Sequence, residues 1–260
     1  MMSIAKLLAI SIFLALSFSA RAAVISVSET FPAALYLSGE IKSGDLNNLK
    51  YAFGTIKDRR SVTLHLNSSG GSLEESILIG RWVRQQKIWT TLSQDYPAEC
   101  FSSCVFVLAA GVVKILTPND NVGIHRPYFT RMPNQSIEVA MKKALVDSRA
   151  YFSEMNIPEQ LADAMFSIPP NTIEILSQEK LSFYRLNQSD MVYAEELDIR
   201  NAALFGMSRQ EYMQKWSLYM AEIADGCMRF KDERSIAFCI ENASKKYGFH
   251  PSQQKKKSVR

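Results

Sequence analysis

A serine, a histidine and a pair of glycines fall in this chain at places where predicted strands end. Ser102 lies in Glu99-Cys100-Phe101-Ser102-Ser103-Cys104, directly ahead of the apolar run Val105 to Ala110 and Gly111. Upstream stands Asn67-Ser68-Ser69-Gly70-Gly71-Ser72, and downstream Gly123-Ile124-His125-Arg126-Pro127. A serine hydroxyl is a poor nucleophile until a base takes its proton, and that base is usually a histidine oriented by a carboxylate. The oxyanion that forms needs fixed donors, commonly backbone N–H groups at a helix start or a glycine turn. Ser102 at the mouth of an apolar helix meets the positional requirement, and the N–H of Ser103 has no partner within that helix. Gly70-Gly71, free of Cβ, lets a second N–H approach a carbonyl closely. Acyl transfer is the chemistry these residues could perform together. The plainer readings stand beside it: a serine at a helix start is most often an N-cap, and a glycine pair can be only a strand-to-helix turn. His65, inside a predicted strand, is the rival base, and His250 sits among polar residues near the C-terminus.

The elements that must position these residues can be read in order. Val24 to Ser38 predicts a strand at Leu35-Tyr36-Leu37, and Asp45 opens a helix through about Ile56. Val62-Thr63-Leu64-His65-Leu66 is β-branched and apolar, bounded by turn residues, and predicts a strand ending at Asn67. Ser72-Leu73-Glu74-Glu75 has the form of a capping box. It opens a helix with Leu73, Ile77, Gly80 and Val83 on one face. Ile88 to Leu92, Val112 to Leu116 and Asn121 to Ile124 predict further strands. Ile137 to Phe152 is amphipathic, and Pro158 to Phe166 predicts another helix. Ser208-Arg209-Gln210-Glu211 is a second capping box, before a helix carrying Tyr212, Trp216, Met220 and Ile223 and ended by Gly226. Alternation of strand and helix with short loops argues for an α/β fold with mostly parallel strands. In such sheets functional groups gather at the carboxyl ends of strands.

The N-terminus has the form of a secretory signal peptide over residues 1–22. Lys6 provides a positive start, Leu7 to Phe18 an apolar stretch, and Ala20-Arg21-Ala22 a small-x-small cleavage site. The mature chain then begins near Ala23, with an exported, periplasmic destination expected. No later stretch is long and apolar enough to cross a bilayer. The formal net charge of +4 shrinks once Lys6 and Arg21 are removed, which argues against a nucleic-acid binder. Lys255-Lys256-Lys257 and Arg260 form a short basic tail. The four cysteines, Cys100, Cys104, Cys227 and Cys239, suit an oxidising compartment. Cys227 with Cys239 is the more natural pair; Cys100 and Cys104 are either a disulfide closing a tight ring around Ser102 or two buried thiols. No histidine lies at ligand spacing from either pair, so no metal site is expected, and nothing suggests an organic cofactor.

Taken in order, Asn67-Ser-Ser-Gly-Gly-Ser, Ser102 ahead of Val105 to Gly111, and Ile124-His125-Arg126-Pro127 resemble motifs of the Clp protease proteolytic subunit. The likeness covers about residues 35–129 well and the chain to about Asp198 more loosely. It is closest to exported relatives with a C-x-S-x-C serine motif, which Cys100-Phe101-Ser102-Ser103-Cys104 fits. The resemblance implies a Clp/crotonase-like spiral α/β fold of repeated β-β-α units over residues 23–205, followed by a C-terminal helical extension over 206–260. It implies Ser102 as nucleophile, His125 as base, the N–H groups of Gly71 and Ser103 as oxyanion hole, and Gly70 in the substrate turn. The third residue falls on Asp198, with Asp190 as the alternative. Glu195 stands where the family pattern has glycine, and Ser69 where its turn has proline. A serine peptidase acting on a peptide or protein is thus expected, assembled as a homo-oligomer. The competing expectation is a catalytically inactive relative that binds peptides or an envelope partner.

Overall fold

The computed structural model describes residues 23–28, 33–93, 98–129 and 134–254. The proposed signal segment and the basic tail from residue 255 lie outside these. Strands β1 (Val24–Ser28), β2 (Ala33–Ser38), β3 (Val62–Asn67), β4 (Trp89–Leu92) and β6 (Lys114–Ile115) form one sheet in the order β1-β2-β3-β4-β6. Only β1 runs antiparallel to its neighbour there. Strands β5 (Glu99–Phe101), β7 (Asn121–Ile124) and β8 (Glu174–Ile175) form a second sheet, parallel between β5 and β7 and antiparallel at β8. The protein is therefore a mixed α/β fold.

Burial explains the strand sequences. In β3, Val62, Leu64 and Leu66 are buried while Thr63, His65 and Asn67 are partly exposed, the period-2 pattern of a sheet with one covered face. Helix α1 (Asp45–Thr55) follows β2, and α2 (Leu73–Gln85) follows β3. Helix α3 (Cys104–Ala110) is buried at all of its positions, which is why it is apolar all round rather than amphipathic. Helix α4 (Asn134–Glu154) brings Tyr151 against it, and the Tyr151 hydroxyl donates to the Phe106 carbonyl at 2.7 Å. Gly80 of α2 lies beneath that hydroxyl: a Cβ there would stand 1.7 Å from it.

The serine half of each expected capping box forms. Ser72 accepts from the Glu75 N–H and Ser208 from the Glu211 N–H. The reciprocal halves do not. The Glu75 carboxylate instead accepts from the Leu46 N–H, so it caps the neighbouring α1, and Glu211 pairs with Lys215. A carboxylate goes to whichever free N–H lies nearest in space, and here that donor belongs to another helix.

His65 is structural. Its ring stacks on Tyr36 with centroids 4.8 Å apart, and its Nδ1 is buried without a partner among the described residues. Burial holds its pKa below the ordinary histidine value of 6.5. The unfolded chain then binds the proton more readily, so this residue's contribution to stability falls as pH drops through 6.5 and below. His65→Phe keeps the stacking and should flatten that part of the pH dependence, measured by urea denaturation between pH 7.5 and 5.

Beyond β8 the chain is helical: α5 (Gln160–Ser167) precedes it, and α6 (Gln178–Phe183), α7 (Met191–Phe205), α8 (Arg209–Asp225) and α9 (Glu233–Tyr247) follow. A second, smaller core gathers Ala202 and Phe205 of α7, Tyr212 and Tyr219 of α8, Tyr247 of α9, and Phe249. The disulfide Cys227–Cys239 ties the turn after α8 to α9. No helix among the described residues is long and apolar enough to cross a membrane.

Candidate active site

Three chain segments run side by side into one cleft. The end of β3 continues beside β5, because the Ser68 N–H donates to the Glu99 carbonyl at 2.7 Å and the Phe101 N–H to the Ser68 carbonyl at 2.9 Å. Strand β5 pairs in turn with β7, Phe101 opposite Gly123, and the Ser102 N–H donates to the Gly123 carbonyl at 2.9 Å. Parallel pairing puts the carboxyl ends of these segments on one edge. Gly70-Gly71, Ser102 and His125 therefore emerge together. All three, with Ser103, line a cleft of about 740 Å³.

Ser102 is not an N-cap. Ser103 holds that position on α3, and Ser102 precedes it with φ 55°, in the left-handed region that a non-glycine residue adopts at a cost. Two constraints hold it there. The Cys100–Cys104 disulfide, with Cα atoms 5.2 Å apart and both residues fully buried, closes a short ring around the turn. Gly70 packs directly on it: a Cβ at Gly70 would stand 2.7 Å from Ser102 Cβ and 2.7 Å from the Phe101 carbonyl. A strand, a strained serine and a helix in succession form a turn that holds the serine clear of its own backbone at the cleft.

The donors follow from the same packing. Gly71, at φ 140°, bridges Ile41, whose N–H donates to the Gly70 carbonyl at 2.7 Å while its carbonyl accepts from Ser72 at 2.9 Å. The Gly71 N–H is passed over in this exchange. Among the described residues neither it nor the Ser103 N–H has an acceptor. The Ser103 hydroxyl is also buried without a partner. Gly71 is exposed and Ser103 buried where they line the cleft, and unpaired donors at such an edge fit a ligand oxygen.

His125 is mostly buried, and its Nδ1 lies 2.9 Å from the Arg126 carbonyl. A carbonyl can only accept, so this bond requires the proton on Nδ1 and leaves the lone pair on Nε2. No hydrogen bond joins Ser102 Oγ to His125 in this structure, and among the described residues no carboxylate contacts the imidazole. The structure does not bring Asp198 to the cleft. Its carboxylate pairs with Arg209 at 3.5 Å, beside Glu195 at 3.4 Å from the same guanidinium. Asp190 is elsewhere too: it caps α7 through the Tyr193 N–H and binds Asn156 and Arg84. The backbone carbonyl of Arg126, not either aspartate, is what the imidazole leans on. No side-chain pattern could have announced it, since every residue carries a carbonyl.

The rest of the cleft went unread in the sequence. Met165 and Phe166 from α5, Ile173, and the Pro127-Tyr128-Phe129 segment form apolar walls, and Glu40 and Glu74 are its carboxylates. Glu40 was invisible as a site residue because it comes from the turn after β2, which pairing of Gly39 with Asn67 and of Ile41 with Gly70 and Gly71 brings alongside the glycine turn.

No protein-family profile matches the sequence, and no curated protein matches it. Among solved structures the chain is similar to the 1510-N membrane-bound stomatin-specific protease, in a serine-to-alanine mutant form. The TM-score is 0.46 and the identity 15%, over 63% of this chain and 81% of that one.

Proposed function

We propose that the cleft is the site of an exported, serine peptidase-like hydrolase, built on a Clp/crotonase-like spiral with a helical extension. The observation that carries this reading is Ser102 held at φ 55° between two N–H groups without acceptors, in one cleft with His125. Ser102 Oγ attacks the peptide carbonyl while His125 Nε2 takes its proton. The oxyanion accepts from the Gly71 and Ser103 N–H groups. His125 returns the proton to the leaving amine, and a water repeats the cycle on the acyl-enzyme. The Arg126 carbonyl keeps the imidazole in the tautomer this needs. Two disulfides are in keeping with an oxidising compartment. Exposed apolar residues on α7 and α8, such as Ile199 and Leu218, are in keeping with assembly of several copies.

The test is covalent. A fluorophosphonate should modify the mature protein at one residue, and peptide mapping should find the adduct on Ser102. Modification elsewhere, or none under conditions that label a reference serine hydrolase, overturns the reading. One observation favours the second reading, a peptide-binding protein without turnover: the imidazole lacks both a carboxylate and a bond to Ser102. That reading expects saturable peptide binding with neither adduct nor cleavage.

The charges lining the cleft add a substrate preference. Among the described residues they are the carboxylates of Glu40 and Glu74, with no lysine or arginine. Peptides carrying Lys or Arg beside the cleaved bond should react several-fold faster, by kcat/KM, than the same peptides with Glu. The ratio should shrink as salt screens the exposed carboxylates.

A further inference from the structure

Away from the cleft, a buried cluster of charges is left unbalanced. Lys114 of β6 is only 3% exposed. Its ammonium has one hydrogen-bond partner among the described residues, the Gly111 carbonyl at 3.1 Å. Buried ammonium groups are ordinarily paired with an anion. The one carboxylate nearby is already committed. Asp190 accepts from the Tyr193 N–H through one oxygen, and from Asn156 at 2.8 Å and Arg84 at 3.2 Å through the other. Three cations, Arg84, Lys114 and Arg185, thus gather around the one carboxylate of Asp190, which cannot balance them all. Burial and Arg84 push the Lys114 ammonium down to about 8, and Asp190 offsets this only in part.

These groups surround a cavity of about 90 Å³ lined by Lys114, Asn156, Arg185, Ser189, the Asp190 cap and the first turn of α7. The size suits a small tetrahedral ion and excludes a peptide or nucleotide. Asn156 and Arg185, at φ 55° and 57°, lie in the turns that end α4 and α6, and those turns bring both residues to this one cavity. The N–H groups of Met191 and Val192 at the start of α7 have no acceptor among the described residues.

We propose that this cavity binds a small oxyanion, phosphate or sulfate, held by Lys114, Arg185 and the first N–H groups of α7. The ion joins β6, the Asn156 and Arg185 turns, and the helix that leads into the second core. It thus fastens the helical extension to the α/β body, independently of whether the cleft is catalytic.

The mature protein should be titrated with potassium phosphate, and separately with sulfate, at ionic strength held constant with potassium chloride. Calorimetry should give a saturable heat, and the thermal midpoint should rise with the same concentration dependence. Lys114→Met and Arg185→Gln should each weaken binding at least tenfold. Ser189→Glu, which brings a carboxylate to the cavity, should raise the midpoint without phosphate and suppress the response to it. Arg185 is partly exposed, and the one hydrogen bond of its guanidinium among the described residues is a long one, 3.3 Å, to the Asn156 carbonyl, so Arg185→Gln decides the matter if Lys114→Met does not fold. Absence of a saturable response in the wild type, or an undiminished response in Arg185→Gln, overturns the proposal.

Discussion

Ser102→Ala should lower peptide hydrolysis by about 10⁴-fold or more, to a residue of catalysis supported by the oxyanion donors and binding alone. The same substitution should leave stability nearly unchanged. Ser102 Oγ has no hydrogen-bond partner among the described residues, so no buried group is orphaned when it goes. Ser102→Gly goes further: glycine accepts φ 55° without the Cβ cost, and this variant should unfold about 1 kcal/mol later than the wild type. Loss of activity with stability held or raised separates a strained functional residue from one retained for packing. Steady-state cleavage assays paired with urea denaturation of the three proteins make the comparison. Activity in Ser102→Ala within tenfold of wild type would remove Ser102 from the mechanism. A stability loss above about 2 kcal/mol would make it a structural residue.

Gly71→Ala should damage both properties at once. A Cβ there would stand 2.2 Å from the Ile41 carbonyl oxygen and 2.8 Å from its nitrogen. These are backbone atoms held by bonds to Gly70 and Ser72, so they cannot swing aside. The φ of 140° adds strain for any residue with a side chain. Overpacking and strain together should cost about 3–4 kcal/mol. In the folded fraction the turn must move, taking the Gly71 N–H from the oxyanion, for a loss of about 10²–10³ in kcat. Gly44→Ala is the control. Gly44 also has positive φ, 98°, but a Cβ there meets nothing within 4 Å. It should cost about 1 kcal/mol and leave activity alone. If the two alanine variants behave alike, the contact with Ile41 is not what requires glycine at position 71.

The elements that carry the site were legible because each announces itself locally. Val62 to Asn67 alternates, the run after Ser102 is apolar throughout, and Gly70-Gly71 interrupts the chain just past a strand. The covalent bracket around Ser102 was open between a disulfide and two thiols, and the structure joins the cysteines. The third residue is a different case. Asp198 came from laying the segment Leu186 to Asp198 on the family pattern, but in the structure Arg209 takes its carboxylate. Asp190 was drawn off in the same way by Arg84 and Asn156.

The sequence by itself determined the α/β class, the strand ends at which Gly70-Gly71, Ser102 and His125 stand, and the apolar helix behind the serine. These depend on periodicity and turn chemistry within a few residues. Only the tertiary structure decided that Ser102 is strained rather than a cap, that Ile41 makes glycine necessary at 71, that His125 leans on its neighbour's carbonyl, and that Lys114 is buried without an anion. Each of these depends on which groups meet across long stretches of chain. Partners for a carboxylate, an imidazole or an ammonium are chosen by proximity in space, which strand register sets and local pattern does not encode.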